Sequence, residues 1–148
     1  MHIDARVLDD QSLIEGDICI IGAGAAGISI ALDWMNSSKK VILLEGGGFE
    51  YDDKVQDLYR GKTTGQKYFP LKASRLHYFG GTTGHWAGMC SPFDEVDFRK
   101  RDWVPDSGWP INKKDLDPYY AKANETLKLG PYNYEQEYWR SELKDLNP

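Results

Sequence analysis

The hexapeptide Gly22-Ala23-Gly24-Ala25-Ala26-Gly27 restricts what this chain can fold into more than any other stretch, because of what flanks it. The segment Asp17 to Ile21 reads as an apolar strand. A helix-period run follows from Ala26 to about Met35, and a second apolar strand, Val41 to Leu44, ends on the acid Glu45. Each part has a physical reason. Gly22 turns the chain sharply out of the strand, Gly24 presents no side chain to obstruct a pyrophosphate, and Gly27 lets helix and strand pack closely. Backbone N–H groups around Ala25 and Ala26, at the positive end of the helix dipole, face the place where phosphates would lie. Glu45 stands near the distance, about 20 residues on, at which a carboxylate accepts hydrogen bonds from ribose hydroxyls. The pattern predicts an adenine-dinucleotide site in an α/β fold. A glycine-rich turn in some other α/β domain is the plain alternative, and the matching strand, helix, strand and acid argue against it. A carboxylate at that strand end repels a 2′-phosphate, so NADP is disfavoured while NAD and FAD stay open.

At 148 residues the chain has room for one modest domain. Its 41% hydrophobic and 13% aromatic content fits a globular protein and not a disordered one. A net charge of −5 with no basic cluster argues against nucleic acid as a partner. No apolar run is long enough to span a membrane, and residues 1–16 read as a polar lead-in without a signal-peptide pattern. That points to the cytoplasm, with export alongside a signal-bearing partner subunit as the alternative. Cys19, inside a strand expected to be buried, and Cys90, far along the chain, suit neither a disulfide framework nor a metal site, so no metal is expected.

A doubly wound sheet needs several parallel strands, yet only two are convincing before residue 50. Residues 46–74 are rich in Gly, Lys, Asp and Tyr and read as extended, surface-hugging chain. Two strands alone leave apolar edges open. The expected architecture is therefore an incomplete sheet, with the chain forming the first part of a larger protein.

A second constellation, RLHYFGGTTGHW, runs from Arg75 to Trp86. Gly80-Gly81 followed by Thr82-Thr83 is another place where backbone can approach a ligand closely, with hydroxyl and amide donors at hand. Arg75 can place a cation near a diphosphate. Alone, these would be an ordinary turn and a solvated charge. Beside an upstream dinucleotide fingerprint, the binding reading gains weight.

GAGAAG with VILLEGGG, then RLHYFGGTTGHWAGMCSPFDEVDF, WVPDSGWPI and LDPYYAKA, resembles the glucose–methanol–choline (GMC) family of FAD-dependent oxidoreductases over roughly Asp17 to Gly130. The resemblance implies FAD, held in a Rossmann-like βαβ unit. Glu45, with Gly46 beside it, would serve the adenosine ribose, and Gly22, Gly24 and Gly27 would surround the pyrophosphate. Gly80, Gly81, Thr82 and Thr83 would lie near the diphosphate and flavin. His85-Trp86 departs from the commoner family pattern and looks like the branch containing pyranose 2-oxidase and the flavin subunits of gluconate and fructose dehydrogenases. That branch implies His85 as a covalent attachment point for the flavin. A non-covalent role lining the pocket, or a buried histidine with satisfied hydrogen bonds, are the alternatives. Trp86 would shape the wall beside the flavin, with Met89 and Cys90 in a covering segment.

His77, on an apparent strand, reads as structural, and His2 as uninformative. Residues 92–111 read as a long ordered loop anchored by Phe93, Phe98, Trp103 and Trp109, in which Arg99-Lys100-Arg101 is a solvated face. Asn112 caps a helix with Leu116, Tyr119, Tyr120, Ala123 and Leu127 on one face, ended by Gly130-Pro131. Tyr134 to Leu143 predicts a further short helix. The expected organisation is a lead-in at 1–16, an FAD-binding portion at 17–95, and a loop-plus-helix segment at 96–148 leading toward a substrate domain. The resemblance implies hydride transfer from a CH–OH group of an alcohol, sugar or polyol to flavin, with electrons passed to oxygen, a quinone or a partner haem protein. It also places the general base beyond Pro148, so no catalytic residue is assigned and the chain alone is expected to be inactive. A nicotinamide-dependent dehydrogenase fragment and a non-catalytic, vestigial nucleotide-binding module are the competing readings.

Overall fold

In the computed structural model, which describes residues 1–143, β1 (Ile18–Ile21) lies parallel to β2 (Val41–Leu44). The register pairs Ile18 with Val41 and Ile21 with Leu44. Parallel pairing requires a crossover, supplied by helix α1 (Ala25–Asp33). This helix opens at Ala25 on a Gly24 cap, and closes at Trp34, short of the expected Met35. The result is a mixed α/β arrangement built around one βαβ unit, with a two-stranded sheet among the described residues. The end of the predicted 96–148 segment, residues 144–148, lies outside the described residues.

Gly27 explains how α1 can sit where it does. A Cβ at this position would overlap the carbonyl oxygen of Gly22 and press on Ile20, so only a hydrogen there allows helix and strand to meet. Two units can be distinguished, Met1–Ala87 and a second from Gly88 onward. Among the described residues, Ala23 and Phe98 are the only buried hydrophobic side chains. Ile21 is 85% exposed and Cys19 is also open to solvent. That corrects the expectation of a buried strand around Cys19: with two strands, alternate side chains have no layer to face.

The chain after Glu45 is more organised than its composition predicts. Residues 46–74 contain α2 (Asp53–Gln56), a 3-10 turn at Asp57–Tyr59 and α3 (Leu71–Ser74). Asp52 starts α2 by accepting from the N–H groups of Lys54 and Val55. At its end Gln56, 1% exposed, holds the region together. Its Nε2 donates to the carbonyls of Lys72 and Arg75 at 2.6 Å each, and its Oε1 accepts from His77 N–H at 2.9 Å. His77 therefore lies in irregular chain tied down by a side chain, and not on a strand.

In the second unit the expected loop contains helix α4 (Glu95–Phe98), opened by a reciprocal Asp94–Asp97 capping box. Of the four aromatic anchors only Phe98 is buried; Phe93, Trp103 and Trp109 are exposed. The basic run is divided: Arg99 pairs with Glu95 in solvent, whereas Arg101 is half-buried, its backbone N–H and C=O both bonded to the Ser107 hydroxyl. Helix α5 (Lys113–Leu127) begins on Asn112 as expected, but stops on Lys128 in the left-handed conformation, before Gly130. Its predicted apolar face is partly open, with Tyr119 and Leu127 exposed, and the residue it buries is Asn124, which donates to Pro131 O and accepts from the Tyr134 hydroxyl. Helix α6 (Gln136–Glu142) falls inside the predicted Tyr134–Leu143 span. No helix among the described residues is long and apolar enough to cross a membrane.

Replacing Gly27 by Ala is expected to destabilise the first unit by about 2 kcal/mol or more, because the clash is with backbone. Denaturant unfolding measures it; an unchanged midpoint would show that α1 does not pack as described.

Candidate functional site

The two glycine bends, far apart in sequence, meet. Gly24 and Gly80 form an isolated parallel bridge, and Gly80 N–H donates to Ala23 O at 2.8 Å. A Cβ at Gly81 would lie 3.6 Å from the Gly24 Cα, so the second bend is seated directly on the first. Gly80 adopts φ +95°, a left-handed conformation that disfavours any residue with a Cβ. Its carbonyl accepts from the Thr83 hydroxyl, which fixes the 3-10 turn Gly81–Gly84.

Glu45 closes the arrangement from the other side. Its Oε2 accepts from Ala23 N–H at 2.7 Å and its Oε1 from Gly47 N–H at 2.9 Å. The carboxylate, at the end of β2, thus pins the turn at the end of β1. Gly22 N–H adds a bond to Leu44 O at 2.7 Å. Each carboxylate oxygen keeps a lone pair beyond the backbone bond it accepts.

The open part of the site lies over the start of α1. Gly24 caps the helix without a side chain, so the first-turn amides of Ala25 and Ala26 have no side-chain acceptor from their cap. A Cβ built on Gly24 meets no atom within 4 Å. Space and uncapped donors at a helix N-terminus suit an anionic oxygen, and the chain folds a carboxylate end and a second glycine turn around the same spot. These residues fit the pyrophosphate and ribose end of a dinucleotide.

Other candidates are placed less simply. The Thr82 hydroxyl accepts from Leu76 N–H at 3.1 Å and the Thr83 hydroxyl donates to Gly80 O, so both hydroxyls already bond backbone. The Arg75 guanidinium lies over the Tyr59 ring, 5.6 Å from its centroid. Gly46 has a packing role: a Cβ there would come within 2.7 Å of His77 Nε2. His85 follows the 3-10 turn, its N–H bonded to Thr82 O and its ring edge-on to Tyr78 at 6.4 Å. It is exposed, as are Trp86 and Met89. Among the described residues no cluster of three or more His, Cys, Asp or Glu side chains could hold a metal ion.

Sequence reasoning missed Gln56 and the arrangement of His77 and Tyr59 behind Glu45. No spacing rule marks a glutamine that bonds three separated backbone groups.

No family model matches the chain, and no solved structure matches it significantly. Among curated proteins it is similar to a 2-methyl-1,2-propanediol dehydrogenase from Mycolicibacterium austroafricanum, 28% identical over 132 residues. The match covers 70% of this chain and 23% of that dehydrogenase, so the chain spans less than a quarter of its length.

Substituting Glu45 by Gln leaves one acceptor oxygen for two backbone donors and turns an N–H₂ toward the other. The expected cost is about 1.5–3 kcal/mol, the range for hydrogen bonds to a charged group. It is read as a lowered denaturant midpoint of the first unit; no change would mean the carboxylate does not hold the turn.

Proposed function

We propose that this chain is the FAD-binding portion of an oxidoreductase acting on CH–OH groups of an alcohol, sugar or polyol. The union of the two glycine bends carries the reading, since Gly80 N–H on Ala23 O brings both ligand-approach turns to the start of α1. The similarity to a dehydrogenase named for a small diol supports the substrate class. The resemblance to GMC flavoproteins, carried by residues in both bends, favours FAD over NAD.

In this reading the Ala25 and Ala26 amides, with Gly22, Gly24 and Gly27 around them, receive the pyrophosphate. The spare lone pairs of Glu45, beside Gly46, accept from the adenosine ribose. Gly80, Gly81, Thr82 and Thr83 border the diphosphate toward the ring, with Arg75 contributing positive charge. His85 and Trp86, both exposed on the same bend, stand ready to contact the flavin, His85 by covalent attachment or by packing. Bound FAD supplies the two-electron acceptor for a hydride leaving the substrate carbon. The protein's share here is to bind and orient the cofactor, and electrons pass on to oxygen, a quinone or a partner haem protein.

Purification with FAD and reduction by dithionite tests the reading: a yellow chain whose visible band bleaches is expected. Because a side chain at Gly24 meets open space, Gly24→Leu should fold like the wild type by circular dichroism yet retain flavin at least about tenfold more weakly. Equal retention by Gly24→Leu, or a colourless chain stabilised by NAD alone, overturns the flavin assignment. Complete release of flavin on denaturation rules out attachment through His85.

A further inference from the structure

Gln56 is a buried polar side chain, 1% exposed, to which the proposed cofactor contacts give no task. Its carboxamide behaves as a neighbouring strand would, donating to carbonyls and accepting from an N–H. Nε2 donates to Lys72 O and Arg75 O at 2.6 Å each, and Oε1 accepts from His77 N–H at 2.9 Å. Donors and an acceptor are both required here. A carboxylate lacks the donors, an ammonium lacks the acceptor, and the amide of asparagine is one methylene short.

Two of those bonds fall at the base of the second glycine bend. Arg75 O and His77 N–H flank Leu76, whose own N–H donates to the Thr82 hydroxyl at 3.1 Å. The Leu76–Thr82 bond closes the loop that carries Gly80 and Gly81, and Gln56 grips the backbone on both sides of that closure. From the loop, Phe79 N–H reaches Gly48 O and Gly80 N–H reaches Ala23 O, both at 2.8 Å. Gln56 is itself anchored. Its N–H donates to Asp52 O at 2.9 Å, and the Lys72 ammonium ties α3 to Asp57, next along the chain, and to Asp53 at 3.5 Å.

We propose that Gln56 is a positioning residue for the cofactor site: its amide sets the second glycine bend where Gly80 N–H reaches Ala23 O, and thereby presents residues 80–83 to the diphosphate. Being buried, it offers no surface to a ligand and acts through the backbone alone. Its loss strands two carbonyls and one N–H out of contact with water, a costly arrangement that the loop relieves by moving. The βαβ unit is held by other bonds, between its strands and from Ala23 N–H to Glu45, so the bend loosens while the strands stay paired. The consequence for cofactor retention rests on the flavin reading above, in which the second bend borders the diphosphate.

Hydrogen exchange of the full chain reads this coupling before any ligand is added. In the wild type, His77 N–H and Gly80 N–H are expected to open together, in one step that comes at lower denaturant than opening of the β1 and β2 amides. Gly80 protection that outlasts His77 protection overturns the proposal, and that arm needs no variant to fold. In Gln56→Met, which keeps the length and removes the polar atoms, Gly80 N–H should exchange at least about tenfold faster while the strand amides keep their rates. FAD retention should weaken about tenfold in the same variant. Equal acceleration of Gly80 and the strand amides makes Gln56 a support of general stability only and contradicts the proposal, as does undiminished flavin retention once Gly80 is loosened. Coupled opening in a wild-type chain that takes up no FAD supports the Gln56 clamp and removes the flavin reading instead. FAD retained equally by wild type and Gln56→Met, with Gly80 exchange unchanged, does the reverse.

Discussion

The peptide groups on either side of Ala23 are tied in two directions at once, and the site depends on that. Ala23 N–H donates to Glu45, 22 residues later, and Ala23 C=O accepts from Gly80. The residue between them is wholly buried. A backbone amide donating to a shielded carboxylate makes a charge-assisted bond, stronger than its neutral counterpart. It orients the turn so that the next residue, Gly24, faces open space at the start of α1. The Gly80 bond then fixes where a second glycine turn must sit. Remove either tie and the two bends have no shared position to hold.

The same constraint explains why so small a buried core still defines a local geometry. Hydrophobic burial fixes little in this chain, since large apolar side chains such as Ile21 and Leu44 stay in contact with solvent. Polar ties do much of the specification: Glu45 for the turn, Gln56 for the segment behind it, and the Asp94–Asp97 and Asn112–Asp115 capping boxes for the helices of the second unit. Such bonds are directional, so they fix angles that apolar packing would leave loose. The cluster at Lys113 follows the same logic: its ammonium donates to Asp117 and to the Tyr132 hydroxyl, and that ammonium first, with the Tyr132 O–H also donating to Asp117, holds the Asp117 carboxyl below its ordinary range.

What the sequence revealed follows from how local each signal is. The βαβ unit was legible because Gly22, Gly27 and Glu45 answer to local rules: a left-handed turn, a close approach and a terminal acid. The Asn112 cap was legible for the same reason. Cys19 was misjudged because burial depends on layers that a strand's own residues do not encode. Trp103 and Tyr119 were misjudged likewise, an aromatic side chain being no proof of a surface to bury it. The stop of α5 at Lys128 was hidden because glycine, two residues on, is the better left-handed residue by type. Gln56 was invisible, since its partners, the carbonyls of Lys72 and Arg75 and the amide of His77, are named only by the fold. At the site, the meeting of the two bends could be expected from their chemistry, whereas the packing of Gly46 against His77 could not.

Hydrogen exchange at a single amide tests the central claim most directly. Gly80 N–H, bonded to the carbonyl of a buried residue, should exchange at least about tenfold more slowly than in an unstructured peptide, alongside the amides of β1 and β2. If those strand amides are protected while Gly80 exchanges at the unstructured rate, the two glycine bends do not meet.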